Sequence, residues 1–362
     1  MKPSGIGGQA VIEGVMMRNG GKYAVAVRTP GGEIVVDVQD CTSEKIQKYK
    51  WAKWPIVRGV INFFDSMVLG MKALMYSASL FAEETDEERE EREKKARKKA
   101  QKKADELRKK GKNEQAQEVL DKCEEKLAKE AASGGADDSG DDLLMTGTVI
   151  VSLIFSIVLF MMVPYFVSRL IKPLIASETL ILVIEGIFKL CIFIGYMALI
   201  SRMKDIQRTF MYHGAEHKCI NCIEHGLELN VENVRISSRE HKRCGTSFLF
   251  IVMFISIVFI MVVSIPLFAL IHVHTAVWRI VLRLALLPVI AGVSYEFIRL
   301  AGMTDNALVN ALSRPGMWMQ HLTTKEPDDS MIEVAIASVE AVYNWKKFEN
   351  EQFGTHYDLT EE

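Results

Sequence analysis

Four long apolar stretches constrain the fold of this chain more than any other feature of its sequence. They lie at roughly residues 143–167, 178–200, 247–271 and 277–298. Each is long enough to cross a bilayer as a helix, which takes about 20 residues. The fourth has charged residues at both ends, so either it is a span with polar ends or its charges face other helices. The pattern predicts a mostly α-helical, polytopic membrane protein with about four transmembrane helices, and the lipid bilayer as its partner.

The positions of lysine and arginine predict how these spans are oriented. Eight such residues lie between Ser201 and Ser247, whereas the connection between the first two spans contains only Arg169 and Lys172. Because cytoplasmic loops carry an excess of Lys and Arg, we expect the loop after the second span, and both termini, on the cytoplasmic side. Residues 1–8 show no apolar core of a cleavable signal peptide. The expected location is therefore the cytoplasmic membrane, with several passes.

The overall composition argues against two other classes of protein. The formal net charge is −2, and no basic stripe with interleaved aromatic residues is visible, so we expect no nucleic-acid partner. Six cysteines are too few and too scattered for a disulfide scaffold. In a reducing cytoplasm these thiols can instead bind metal.

The N-terminal part is predicted to be a small, glycine-rich β segment. Gln9 to Met17 reads as a first strand, and residues 23–28 and 33–38 form a hairpin around a glycine turn. From Ile56 to Phe81, polar residues recur among apolar ones, which predicts an amphipathic helix on the membrane surface. A re-entrant span is the alternative for that stretch.

The remaining polar parts are an insertion and a C-terminal tail. Residues 83–130 contain many Glu-to-Lys pairs at i, i+4 and a break at Gly111, which predicts a charged helical hairpin. In the tail, Pro315–Trp318 is predicted to be a turn, and Asp328 to cap an amphipathic helix from Met331 to about Phe348.

These patterns divide the chain into seven segments. They are the β segment (1–55), the surface helix (56–82), the charged insertion and flexible linker (83–142), a transmembrane hairpin (143–200), a cytoplasmic segment with a candidate metal site (201–246), a second transmembrane hairpin (247–299) and the cytoplasmic tail (300–362).

The candidate metal site rests on the motif His-x-x-Glu-His. His213 and His217 are i and i+4, so on a helix both imidazoles project from one face, at a spacing that suits one divalent ion. Glu216 lies beside them and could act as a general base toward a water molecule that the metal activates. If the second span continues as a helix past Ser201, Glu224 falls on the same face, and Gly226 ends that helix.

The further ligands are left open between two arrangements. A catalytic site would use both histidines with one or two of Glu224, His241 and Cys244, and would keep a position for water. A closed structural site would instead be completed by Cys219, Cys222, Cys244 and a histidine. Nitrogen, oxygen and sulfur ligands in either set favour zinc.

One ionisable pair lies inside the second predicted span. Glu185 and Lys189 are i and i+4 there, and charges at that depth are costly unless they are paired or face a cavity. The pair predicts either a salt bridge within the helical bundle or a polar cavity beneath the metal site.

Several segments of the chain resemble the YqhQ-like family of uncharacterised bacterial membrane proteins. The similar segments include Tyr-His-Gly-Ala-Glu-His-Lys at 212–218, and further stretches lie at 7–18, 54–59, 231–234, 238–248 and 314–329. The resemblance implies a metal-dependent enzyme whose reaction is not settled, and it favours the mixed His, Glu and Cys site over the Cys-x-x-Cys arrangement. It also adds four residues as supporting or substrate-binding candidates: Gln9, Glu13, Arg18 and Arg239. We expect the glycine-rich strand to fold over the His217 segment, with Glu13 near the metal.

Two functions remain open at this point. The first is a membrane metalloenzyme with hydrolase-like chemistry at the cytoplasmic surface, with Glu216 as the base. The second is a non-catalytic, metal-stabilised adaptor that helps other membrane proteins to assemble or turn over. An enzyme requires Glu216, whereas an adaptor should tolerate its replacement by glutamine.

Overall fold

A computed structural model describes most of the chain. It covers residues 2–41, 49–81, 141–175, 177–259, 262–263, 276–303 and 306–359, with isolated positions between 94 and 117. Most of the predicted charged hairpin and its linker therefore lie outside the described residues, as do His272 and His274. The chain divides into two compact units, Met1–Ala78 with Leu159–Glu362, and Ser79–Val158.

The described residues are mostly helical, with a small N-terminal antiparallel sheet, as the sequence predicts. The strands are β1 (Gly7–Val11), β2 (Gly14–Asn19), β3 (Lys22–Arg28) and β4 (Ile34–Asp40). The helices are α1 (Val57–Phe81), α2 (Asp141–Ile157), α3 (Val163–Ile171), α4 (Glu178–Ile200), α5 (Lys204–Glu224), α6 (Val231–Ile236), α7 (Gly245–Phe259), α8 (Ala276–Met303), α9 (Ala307–Thr323), α10 (Asp329–Glu340) and α11 (Trp345–Phe353). A π-helical turn (Val158–Met162) and two short 3-10 helices (Lys50–Lys53 and Lys172–Leu174) complete them.

The sheet is a meander in the order β1-β2-β3-β4. The single strand predicted over Gln9–Met17 is wrong, because the chain reverses at Ile12-Glu13 and residues on either side pair as Val11 with Gly14. Glu13 takes a positive φ of 49° there, and neither turn residue is the Asn or Gly that usually signals a two-residue hairpin. The hairpin predicted over 23–28 and 33–38 is confirmed by β3 and β4.

The sheet and the C-terminal helices bury one face of α5. The core joins apolar side chains from β2 and β3 with those of α5 and α10, including Met17, Ile220, Ile223 and Ile332, all almost fully buried. At about 25 cal/mol per Å² of buried apolar surface, such contacts are the main force holding α5 in place. The motif helix is therefore fixed on the sheet.

Two described helical segments are long and apolar enough to cross a membrane. They are Gly147–Leu174 and Leu180–Ile200, and only 11% and 22% of their most apolar windows are buried. Their apolar side chains are thus mostly exposed, unlike those of a core helix in a soluble protein. Helix α7 is a shorter apolar helix, and the residues directly after it lie outside the described part of the chain.

Helix α1 packs against α8 at a crossing of two glycines. A Cβ on Gly59 would lie 2.7 Å from the Gly292 carbonyl oxygen, and one on Gly292 equally close to that of Ile56. Arg58 forms an ion pair with Glu296 beside this crossing. Helix α1 begins one residue after the predicted Ile56, which has a positive φ of 69°, and ends at the predicted Phe81.

Three local predictions about helix ends are wrong. The second span does not continue into the motif helix, because α4 ends at Ile200 in 3-10-type hydrogen bonds and Met203 is extended before α5. Pro315 lies inside α9, where Gly316 packs closely on Ser247 of α7 and so offsets the lost backbone hydrogen bond. The C-terminal helix divides in two because Asn344 caps a new helix, although Asp328 caps α10 as predicted.

Candidate metal centre

Helix α5 brings the two motif histidines beside a cysteine from the end of the following loop. His213 and His217 lie one turn apart with their ring centroids 4.4 Å apart, and Cys244 immediately precedes α7. One ligand atom from each of the three residues lies within 4.8 Å of the others. Within the described residues, this is the one group of His, Cys, Asp or Glu side chains close enough to hold an ion.

Backbone carbonyls orient both imidazoles toward the cysteine. His213 Nδ1 is 2.8 Å from the Thr323 carbonyl oxygen, and His217 Nδ1 is 2.6 Å from that of Arg239. A carbonyl only accepts, so each Nδ1 carries a proton, and in the neutral form of each ring it is Nε2 that has the lone pair for a metal. His213 Nε2 lies 3.2 Å from Cys244 Sγ. This is how metal-binding histidines are usually supported.

Two buried polar atoms at the site have no hydrogen-bond partner among the described residues. They are Nε2 of His217, whose side chain is 1% exposed, and Oε2 of Glu216. A buried polar atom without a partner costs about 1–3 kcal/mol. A cation between His217, His213 and Cys244 would satisfy the imidazole lone pair, so the donor set fits a metal ion.

Cys244 has the surroundings of a thiolate. Burial alone would raise the pKa of its thiol, but the adjacent His213 and His217 lower that pKa well below its usual range. The Thr246 N–H, in the first turn of α7, donates to Sγ at 3.4 Å, and a helix N-terminus favours negative charge. In return, although burial lowers the pKa of His213, the Cys244 charge raises it to about 9.

Glu216 lies at the inner side of this cluster, against the sheet. Burial raises the pKa of its carboxyl, although His213 and His217 partly offset this. The backbone of Gly8 also lowers this pKa and lies close to the carboxylate, since a Cβ on Gly8 would lie 2.9 Å from the Glu216 carboxyl carbon. Strand β1 therefore does fold over the motif, and its backbone is what contacts Glu216.

Side chains of α5 hold the loop that supports His217. Lys218 Nζ, almost fully buried, donates to the carbonyls of Arg235 (2.8 Å) and Ser237 (3.0 Å) and pairs with Glu326 (2.9 Å). Asn221 Nδ2 donates to the carbonyls of Ser238 and Glu240. These bonds fix the loop whose Arg239 carbonyl orients His217.

Gly214 allows the other supporting segment to approach. A Cβ there would lie only 2.0 Å from the Lys325 carbonyl oxygen. The Lys325 N–H also donates to the Phe210 carbonyl. The segment that begins at Thr323 therefore lies directly on α5.

Glu224 and His241, both predicted as ligands, form a separate network. Their side chains are 3.4 Å apart, and Arg243 forms an ion pair with Glu224. Ser4 donates to the same carboxylate from its backbone and its hydroxyl. His241 Nε2 is thus directed at Glu224, with its ring centroid 5.8 Å from that of His217.

The four supporting candidates lie around the site without reaching its centre. Glu13 forms an ion pair with Arg208 and accepts from the Tyr212 hydroxyl, so it contacts α5 before the motif rather than the ligand atoms. Arg18 pairs with Asp65 of α1, and the Gln9 side chain packs on Gly70 of α1. Arg239 contributes its carbonyl.

The closed arrangement with Cys219 and Cys222 does not form. Both thiols are buried in the core between α5 and the sheet, and Cys222 Sγ donates to the Leu227 carbonyl at 3.3 Å. Burial raises the pKa of both thiols, to about 12 for Cys222, so they are neutral there.

Comparison with known proteins gives the family of this chain. Residues 54–345 match the family described as "Protein of unknown function (DUF1385)". The chain is also 33% identical over 340 residues to "Uncharacterized protein YqhQ" of Bacillus subtilis (strain 168), covering 93% of this chain and 91% of that protein. No solved structure matches. The chain therefore belongs to the DUF1385 family, which confirms the resemblance to YqhQ-like proteins.

Proposed function

We propose that this chain is an integral membrane protein with metal-dependent hydrolase chemistry at the cytoplasmic surface. The observation that carries the proposal is the convergence of His213 Nε2, His217 Nε2 and Cys244 Sγ, with both Nδ1 atoms bonded to carbonyls. Two nitrogens and one thiolate suit zinc, and three protein ligands are the usual number in a catalytic zinc site.

The membrane part of the proposal has four spans, two of them the helical segments that are long and apolar enough to cross a membrane. The exposed apolar surfaces of Gly147–Leu174 and Leu180–Ile200 support the first hairpin. The apolar helix α7 and the long helix α8 would form the second, with both termini in the cytoplasm. Cys244 directly precedes α7, so the metal centre would lie at the membrane surface.

Each residue then has a distinct role. Zinc held by His213, His217 and Cys244 would supply Lewis-acid activation of water. Glu216 would accept the proton at Oε2, the oxygen without a partner among the described residues. The Gly8 backbone would pack against that carboxylate. The substrate class would be a hydrolysable ester or amide.

Elemental mass spectrometry of the detergent-purified protein tests the metal site. We expect about one zinc per chain in the wild type, the stoichiometry of a single three-ligand site, and none in His217→Ala. His225→Ala is the matched control, because His225 is the C-cap residue of the same helix, is exposed, and bonds to the Asn221 carbonyl. Absence of metal from the wild type after zinc loading would overturn the proposal.

The second candidate, a metal-stabilised adaptor for other membrane proteins, is favoured by the burial of the site. His217, Glu216 and Cys244 are 1%, 5% and 5% exposed, which is typical of closed structural metal sites. Glu216→Gln separates the two functions. With zinc retained, loss of hydrolysis of peptide, phospholipid and simple ester substrates supports the enzyme, whereas full cellular function of this variant supports the adaptor.

A further inference from the structure

A glutamine of α9 holds both flanks of the segment that carries Cys244. Gln320 Oε1 accepts from the His241 N–H at 2.9 Å, and its Nε2 donates to the His241 carbonyl at 2.7 Å. The same Nε2 donates to the Ser247 hydroxyl oxygen, also at 2.7 Å. His241 lies three residues before Cys244, and Ser247 three residues after it. One side chain therefore bridges the chain on either side of the cysteine.

The partners of this amide fix its orientation. A backbone N–H only donates and a carbonyl only accepts, so a reversed amide would present the wrong atom to each of the two His241 groups. Both protons of Nε2 are used, and Gln320 is fully buried. Because a buried polar group without a partner is costly, an apolar side chain of the same size cannot hold the segment in this way.

Helix α9 is itself packed against the neighbouring helices. Met319, next to Gln320, is fully buried in a cluster that includes Phe193 of α4. One turn before Gln320, a Cβ on Gly316 would lie 3.1 Å from the Ser247 Cβ, so α9 and α7 approach each other closely there. Since packed interiors resist displacement, the hydrogen bonds of Gln320 connect the cysteine segment to a rigid helix.

The same end of α9 supports the first histidine. Thr323 lies three residues after Gln320 and therefore on the same face of α9. Its carbonyl oxygen is 2.8 Å from His213 Nδ1, and its hydroxyl donates to Thr246 Oγ1 at 3.2 Å. Thr246 Oγ1 lies 3.1 Å from Cys244 Sγ. Groups one turn apart on α9 thus reach ligands from two different parts of the chain.

We propose that Gln320 is a positioning residue for the metal centre, which sets Cys244 Sγ at the level of the two imidazoles. This inference rests on the metal centre proposed above and adds a residue that is not one of its ligands. His213 and His217 are placed by α5, whereas Cys244 is placed by the way the segment 241–247 is held. Groups that orient metal ligands typically change metal affinity 10- to 100-fold.

Cobalt in place of zinc tests the inference in the detergent-purified full chain. A thiolate bound to cobalt gives a charge-transfer absorption band, so this band reports the bond from Cys244 to the metal. In Gln320→Met, which has a similar size but no amide, we expect cobalt to bind at least about tenfold more weakly. The band at saturating cobalt should also be weaker or shifted. A role in stability alone would lower the melting temperature and leave the spectrum of the folded protein unchanged.

A matched pair of serine variants keeps the test decisive if Gln320→Met does not fold. Ser247→Ala removes one of the three hydrogen bonds of Gln320 and should weaken the band and the affinity in the same direction. Ser338→Ala is its control, because Ser338 is also buried and donates to the Ala24 carbonyl of the sheet; this variant should behave as the wild type does.

The outcomes separate this inference from the metal centre on which it rests. If the wild type shows the cobalt band, and the folded Gln320→Met, or otherwise Ser247→Ala, has the same band and affinity, Gln320 does not position Cys244. If the wild type binds no cobalt, or the band remains in Cys244→Ser, the metal centre itself is refuted and the inference with it.

Discussion

Replacing Gly214 by alanine tests whether the carbonyl behind His213 sets the metal affinity. Gly214 lies inside α5, where alanine would ordinarily stabilise the helix by about 1 kcal/mol. Here the added Cβ would lie 2.0 Å from the Lys325 carbonyl oxygen. Since ordinary carbon–oxygen contacts are about 3.3 Å or longer, the segment must retreat by more than about 1 Å.

That retreat should reach the metal site through Thr323. Its carbonyl lies two residues before Lys325 and accepts from His213 Nδ1 at 2.8 Å. Loss of such a supporting partner typically weakens metal affinity about 10- to 100-fold, or roughly 1.4–2.7 kcal/mol. The Gly214→Ala variant should therefore bind zinc 10- to 100-fold more weakly on this scale, although none of its ligands is changed.

Competition with a zinc chelator in detergent measures this affinity directly. Gly195→Ala is the matched control, because Gly195 lies inside α4 and an added Cβ there meets nothing within 4 Å. The control should bind zinc as the wild type does. Wild-type affinity in Gly214→Ala would refute the argument that the Thr323 carbonyl positions His213.

Three further predictions concern the cysteines, the Glu224 network and the helix crossing. Cys244→Ser should lower zinc affinity at least about tenfold in chelator competition, whereas Cys222→Ser, outside the cluster, should leave it unchanged. Burial would raise the pKa of Glu224, but His241 and Arg243 hold it at about 2 against an ordinary 4.5. The ionised Glu224 carboxylate therefore stabilises the folded state above about pH 4.5, and this stabilisation is lost as pH falls toward 2. The melting temperature of the wild type should fall over this range more than that of Glu224→Gln. At neutral pH that variant should be roughly 3 kcal/mol less stable, because Arg243 and His241 lose their partner. Gly292→Leu should lower the melting temperature by separating α1 from α8, whereas Gly147→Leu, with open space around it, should not.

The sequence predicts those parts of the site that depend on helical periodicity. His213 and His217 share a face because four residues make about one turn, and Gly226 ends the helix because it can take the left-handed conformation, with a φ of 72°. By contrast, the carbonyls of Thr323 and Arg239 leave no signal of residue type, since any residue supplies a carbonyl. The close contact behind Gly214 does leave one, because glycine inside a helix needs a reason.

The fold, like the site, has parts that the sequence predicts and parts that it does not. Alternation and apolar length predict β3, β4 and the two helical segments that are long and apolar enough to cross a membrane, because these patterns lie in consecutive residues of the chain. The reversal at Ile12-Glu13 has no turn residue to signal it, and its conformation depends on tertiary contacts such as the bond from the Ile12 N–H to Ser77 of α1. Pro315 is the converse case, in which packing maintains a helix that the local sequence opposes.

Helix geometry also explains why Glu224 is not part of the cluster. It lies seven residues after His217 and does share the face, but seven residues rise about 10.5 Å along the axis. A zinc–oxygen distance is about 2.0–2.2 Å, so an ion at His213 and His217 lies beyond the reach of a glutamate two turns away. Two residues of a helix must therefore lie on the same face to bind one ion, but their distance along the helix axis decides whether both can reach it. The remaining ligand must come from another element at the level of the two histidines, and Cys244 is the described residue that meets this condition. Glu224 lies two turns away, where its carboxylate pairs with Arg243 and His241.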